Sequence, residues 1–87
     1  MEEEKVVEII KQINMYIDML ANDTSVPKNV RTAINEAKNK LNAEGAYTIR
    51  IAGAIYSIDS ISNDINLPTQ ARTVVWNILS LLESIKE

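Results

Sequence analysis

Apolar residues recur along this chain at intervals of three and four, in four stretches separated by turn-forming clusters. In the first stretch they fall at Val6, Ile9/Ile10, Ile13, Ile17 and Leu20, which is one face of a helix. The second has Val30, Ala33/Ile34, Ala37 and Leu41, and the third has Ile51, Ala54/Ile55, Ile58 and Ile61. The fourth has Ala71, Val74/Val75, Ile78, Leu81/Leu82 and Ile85. No stretch alternates with the period of two that a strand requires. The pattern predicts an all-α protein of four helices.

The punctuation between stretches is specific. Asn22 stands where a first helix ends in the left-handed conformation that Asn tolerates, and Asp23, Thr24 and Ser25 form turns and caps. Pro27 suits a first helical position, where its missing N–H costs nothing. Gly45 is placed to stop the second helix. The third is expected from about Ala46 to Ser62, and Asn63, Asp64 and Pro68 punctuate before the fourth.

These two punctuation blocks are copies. NDTSVPKNVRT at 22–32 matches NDINLPTQART at 63–73, and with Ile17/Ile58 and Asp18/Asp59 seven of sixteen aligned positions are identical. Unrelated sequences of ordinary composition give about one. The chain therefore reads as one domain, 1–87, of two units, about 2–45 and 46–87. Short connections make consecutive helices antiparallel, and two hairpins bury their apolar stripes against each other. The expected fold is a four-helix up-and-down bundle made of two tandem repeated helical hairpins. A repeat of this length also suits a helical solenoid, but two units are too few for such an array.

Charge changes the picture at the corners. Asp18 and Asp59 lie near helix C-termini, and Arg31 and Arg72 near helix N-termini, each the unfavoured sign for the helix dipole. The spacing is the same in both units, so each Asp is expected to pair with the Arg across its turn, with Asp23 and Asp64 as alternative acceptors. A turn staple explains this better than an anion or substrate site. Helix one carries Glu2, Glu3, Glu4, Glu8 and Asp18 against Lys5 and Lys11, and helix two carries Lys28, Arg31, Lys38 and Lys40 against Glu36. An antiparallel hairpin is expected to set Glu2 to Glu8 beside Lys38 and Lys40.

One strip is left over. Asn35, Lys38 and Lys40 of the first unit correspond to Trp76, Leu79 and Leu81 of the second. Leu81 can extend the core, whereas Trp76 and Leu79 share a flank with Arg72 and Glu83, about one hundred degrees round from Val75 and Ile78. That strip is either an association surface, with an Arg72–Trp76 stack, or a wedge of Trp76 between helices one and four. Met15, Tyr16 and Met19 form a softer strip on helix one. Gly53 inside helix three allows a close helix crossing.

Composition then narrows function. Apolar residues make up 46% and charged residues 24% of the 87, a globular balance. There is no Cys and no His, which removes thiol and imidazole chemistry and the usual zinc ligands. Gly45 and Gly53 stand alone, so no phosphate-cradling loop exists. No catalytic residue, cofactor or metal is expected. A net charge of −3 and a pI near 4.9 make nucleic acid an unlikely partner. The start Met1-Glu2-Glu3-Glu4-Lys5 is acidic where a secretory leader is basic, and no apolar run spans a membrane.

The acidic start, the NDTSVPKNVRT block, the central helix and NDINLPTQARTVVWNILSLLESI together resemble an archaeal group of small helical proteins, uncharacterised protein family 0147. The resemblance implies a four-helix bundle and a cytoplasmic setting, and it implies no activity. The expected role is a non-catalytic module that binds another protein or itself, with self-association through helix four as the homodimer version. The alternatives are an accessory subunit touching RNA in a larger assembly, and a small-molecule binder or enzyme, which needs a real pocket.

Overall fold

The computed structural model describes residues 1–85; the last two residues of the second sequence unit lie outside it. Four helices follow the four apolar stretches: α1 (Glu3–Ala21), α2 (Lys28–Leu41), α3 (Tyr47–Asp59) and α4 (Thr69–Ser84). Each packs on two neighbours, α1 on α2 and α4, and α3 on α2 and α4, and among the described residues the diagonal pairs do not meet. The result is a closed ring of antiparallel helices, 36 × 20 × 19 Å, around one core. Ile13, Ile17, Ile34, Leu41, Ile58, Ile78 and Leu82 are sealed at its centre. Burial of each such side chain is worth about 1.5–3 kcal/mol.

Both corners belong to the same end of the bundle, where Asn29 at the start of α2 donates to Asp64 Oδ2 in the second corner at 3.2 Å. Their backbone bonds recur at the offset of the sequence repeat. In the first corner Asp23 N bonds Leu20 O at 3.2 Å, Val26 N bonds Asp23 O at 3.1 Å, and Arg31 N bonds Pro27 O at 3.0 Å. In the second, Asp64 N bonds Ile61 O at 3.1 Å, Leu67 N bonds Asp64 O at 3.2 Å, and Arg72 N bonds Pro68 O at 3.0 Å. Asp23 Oδ1 accepts Ser25 N–H at 2.9 Å and Asp64 Oδ1 accepts Asn66 N–H at 2.8 Å, the same side-chain turn twice.

Several local expectations need correction. Asn22 is not left-handed: its φ is −98°. Its side-chain amide instead donates to Asp18 O at 2.9 Å, which satisfies an end carbonyl without the strain of a positive φ. Pro27 and Pro68 sit one position before their helices, with ψ of 149° and 150°, as extended lead-ins. Helix α3 stops at Asp59, short of Ser62. There the hydroxyls of Ser60 and Ser62 donate to Ser57 O and Asp59 O, and the backbone tightens to three-residue bonds. Helix α2 ends at Leu41, before Gly45. Gly45, at φ +121°, bends the connection that follows, a conformation costly to any residue with a Cβ.

The expected Asp–Arg staples do not form. Asp18 Oδ1 meets Lys38 Nζ at 2.6 Å, the one ion pair among the described residues. Asn14 and Asn42 exchange side-chain bonds one turn further along. Lys38 lies about two turns beyond Arg31, so α2 starts roughly 10 Å past the end of α1. The corner needs that overhang because Val26, like Leu67 in its counterpart, turns inward and is buried. Glu2 to Glu8 therefore do not face Lys38 and Lys40. Arg31 Nε is buried without a partner, and Arg72 Nη2 donates to Asp64 O at 3.2 Å, a carbonyl in place of the expected carboxylate. Asp59 is exposed and unpaired among the described residues.

Candidate interaction surface

Helix α4 presents Val75, Ile78 and Leu82 to the core, and one residue on from Val75 the chain must point outward. That residue is Trp76, and it is 57% exposed. The wedge between helices one and four is therefore not formed. Leu79, half-buried, packs on the edge of the core below it, and Glu83 is exposed one turn further. Arg72 is half-buried and turned to the corner carbonyl of Asp64. The expected Arg72–Trp76 stack is absent among the described residues, where the cation–aromatic pairs are Arg50 on Tyr47 and Lys40 on Tyr56, at 4.7 and 5.4 Å.

Neighbouring α3 adds residues that the sequence reading passed over. Ile49 is 74% and Tyr56 75% exposed, with exposed Ala52 between them. Their spacing of three and four makes a second apolar stripe on the back of α3, opposite Ile51, Ala54 and Ile58. The periodicity was visible in the sequence but was masked by the equally apolar core stripe beside it. Ile65, 89% exposed, sits at the corner between the two helices. The charges of this hairpin are mostly spent internally: Arg50 Nε donates to Leu41 O at 2.8 Å, capping α2 while lying on the Tyr47 ring. From Tyr47 to Ser84 the exposed ionisable side chains are Asp59, Tyr56 and Glu83.

The corresponding surface of the α1–α2 hairpin is charged. Glu8, Lys11, Met15 and Asp18 stand where α3 has Ile49, Ala52, Tyr56 and Asp59, and Asn35 and Lys38 where α4 has Trp76 and Leu79. Met15 and Met19 are exposed on α1, while Tyr16 beside them packs on the core.

Among the described residues no group of three or more acids could hold a metal ion. Open troughs run along a single face of α1 from Lys5 to Met15, beside Glu2, Glu4, Lys5 and Glu8, and at the far end beside Met1, Glu3, Val6 and Tyr47. Lys40 Nζ donates to Ser57 Oγ at 2.9 Å, but Ser57 is 97% covered, beneath a lysine stem lying on Gly53. A Cβ at Gly53 would stand 3.2 Å from Lys40 Cδ, so the glycine serves the close α2–α3 contact. The Asp23 carboxyl is held below its ordinary range, first by the Ser25 hydroxyl and then by the Ser25 amide. No described helix is long and apolar enough to cross a membrane.

Residues 1–85 match the model of an uncharacterised protein family, UPF0147. The chain belongs to this family. Its UPF0147 relatives are archaeal. UPF0147 protein MJ1419 of Methanocaldococcus jannaschii is 45% identical over 80 residues, covering 91% of this chain and 86% of that protein. A UPF0147 protein of Methanosarcina acetivorans is 42% identical over 79 residues, covering 90% and 81%. Two solved structures share the fold. The unknown function protein MMP1188 superposes with a TM-score of 0.86 at 41% identity, over 93% of both chains. A UPF0147 member from Thermoplasma acidophilum gives 0.84 at 31% identity, over 91% of this chain and 94% of that one.

Proposed function

We propose that this UPF0147 chain works without catalysis, as a protein-binding module whose contact surface is the outer side of the α3–α4 hairpin. The observation that carries the reading is Trp76, more than half exposed on a helix whose counterpart has Asn at that position. An exposed Trp costs solubility and contributes nothing to the core, whereas Trp and Tyr dominate the energetics of interfaces. Depletion of charge around aromatic residues is the compositional mark of an interface core; on α3 and α4 the exposed ionised side chains are Asp59 and Glu83, and the Lys40 ammonium of α2 stands 5.4 Å from the Tyr56 ring. Against an enzyme stand the absent imidazole and thiol and the burial of Ser57, which is 97% covered beneath Lys40. The RNA-associated alternative lacks a basic patch, since Lys38 is neutralised by Asp18 and Arg50 by a helix end. The matched bonds of the two corners support an origin by copying one hairpin.

The test is affinity purification of the tagged chain from its native cell, wild type beside Trp76→Glu. The expected result is a copurifying protein that the variant loses at equal expression. Recovery of the same set with both would sink the reading.

A further inference from the structure

Resting on that reading, we infer that the occupant of the α3–α4 surface is a second copy of this chain, docked face to face about a twofold axis. Three features of the molecule point to it.

The first is area. One side of a bundle measuring 36 by 20 Å offers roughly 700 Å², close to the ~800 Å² per partner of a standard specific interface. A full lateral face against a full lateral face would thus fall within the size range of specific interfaces. Trp76 stands exposed on it over half-buried Leu79 and Ile55, and exposed Ile49 and Tyr56 flank it on the back of α3, Tyr56 with the Lys40 ammonium of α2 at 5.4 Å from its ring.

The second is the polarity of the surface that must come opposite. A strongly charged partner brought against the apolar part of this face would have to shed water that Trp76, Leu79 and Ile55 cannot replace. Within this molecule the α1–α2 side, with Glu8, Lys11 and Asp18 exposed, is unsuited to that role. The α3–α4 face is suited to itself.

The third is the sign of the few charges at its border. Asp59 and Glu83 are exposed acids without partners among the described residues, and Arg72 uses only Nη2, toward the Asp64 carbonyl. One face therefore carries both signs. A twofold contact, in which residue i meets j and j meets i, can set an acid of one copy against the spare N–H groups of Arg72 in the other.

The experiment is sedimentation equilibrium on the full chain across a concentration series, with the variants Trp76→Glu, Tyr56→Glu and, as an off-face comparison, Met15→Glu. Circular dichroism accompanies each variant to establish that its helix content matches wild type. The wild type is expected at twice its monomer mass at micromolar concentration. Trp76→Glu and Tyr56→Glu should each weaken the dimer at least about 30-fold, as loss of an interface anchor does, and Met15→Glu should leave it intact. A wild type that stays monomeric up to about 1 mM, where binding would be too weak to be specific, overturns the proposal. So does a dimer that survives both α3–α4 variants or that only Met15→Glu dissociates. These outcomes separate from the pull-down: a monomer that still loses its cellular partner on Trp76→Glu overturns self-docking and leaves the binding-module reading in place.

Discussion

Single residues at the corners show how little chemistry this fold spends per contact. Asp23 accepts the Ser25 hydroxyl at 2.6 Å and the Ser25 amide at 2.9 Å, and both bonds favour its ionised form. The carboxyl is therefore held below its ordinary value of 3.8. A depressed acid contributes stability that is complete above the unfolded value and is lost as the pH falls through the folded one. The expected outcome in a ¹³C NMR titration is an Asp23 midpoint below that of an unstructured Asp. Ser25→Ala should bring it partway back, since the amide bond remains. A midpoint at the ordinary value in the wild type would contradict the geometry. The Asp18–Lys38 pair is a smaller matter, because with side chains 40–52% exposed it is screened and worth at most about 1 kcal/mol.

At the scale of elements, periodicity predicted what exists and packing decided where it sits. The four helices were legible because Val6 to Leu20, Val30 to Leu41, Ile51 to Ile58 and Ala71 to Leu82 keep the three-four spacing, a property of the local chain. The register of α1 against α2 was not legible. A symmetric hairpin sets Asp18 opposite Arg31, but the inward turn of Val26 lengthens the corner and carries Lys38 there instead. Val26 and Leu67 plug one end of the core from equivalent places. Leu67→Ala should therefore cost about 2–4 kcal/mol in urea unfolding, as a buried leucine does. A loss within about 0.5 kcal/mol, the range of a surface substitution, would show that the corner is not part of the core. The early end of α3 has the same kind of cause, since serine hydroxyls at 60 and 62 compete for carbonyls that a helix would use.

Across the whole molecule the two hairpins share a frame and differ in surface. The first keeps charge on its outside, and the second has nearly none between Tyr47 and Ser84. A chain of this size buries a modest core, so association of the kind inferred would add to its stability by mass action. The thermal midpoint should then rise with protein concentration for wild type and stay flat for Trp76→Glu, read by differential scanning calorimetry over about a hundredfold range, which for a dimer corresponds to about 2.7 kcal/mol of linkage. A midpoint independent of concentration in the wild type would count against a dimer. Trp76 was legible as a strip residue from its place beside Val75, but whether it was wedged or exposed was not.

The sequence alone determined that the chain is helical, that its helices number four, and that its corners are alike, because each of these follows from neighbours a few residues apart. It also determined which chemistry is missing, since a side chain that is not encoded cannot act. Tertiary structure decided the stagger of α1 on α2, the partners of Asp18, Arg31 and Arg72, and the exposure of Trp76, Tyr56 and Ile49. Those depend on how far one helix slides along another before the core is filled, and that distance is set by every buried side chain together.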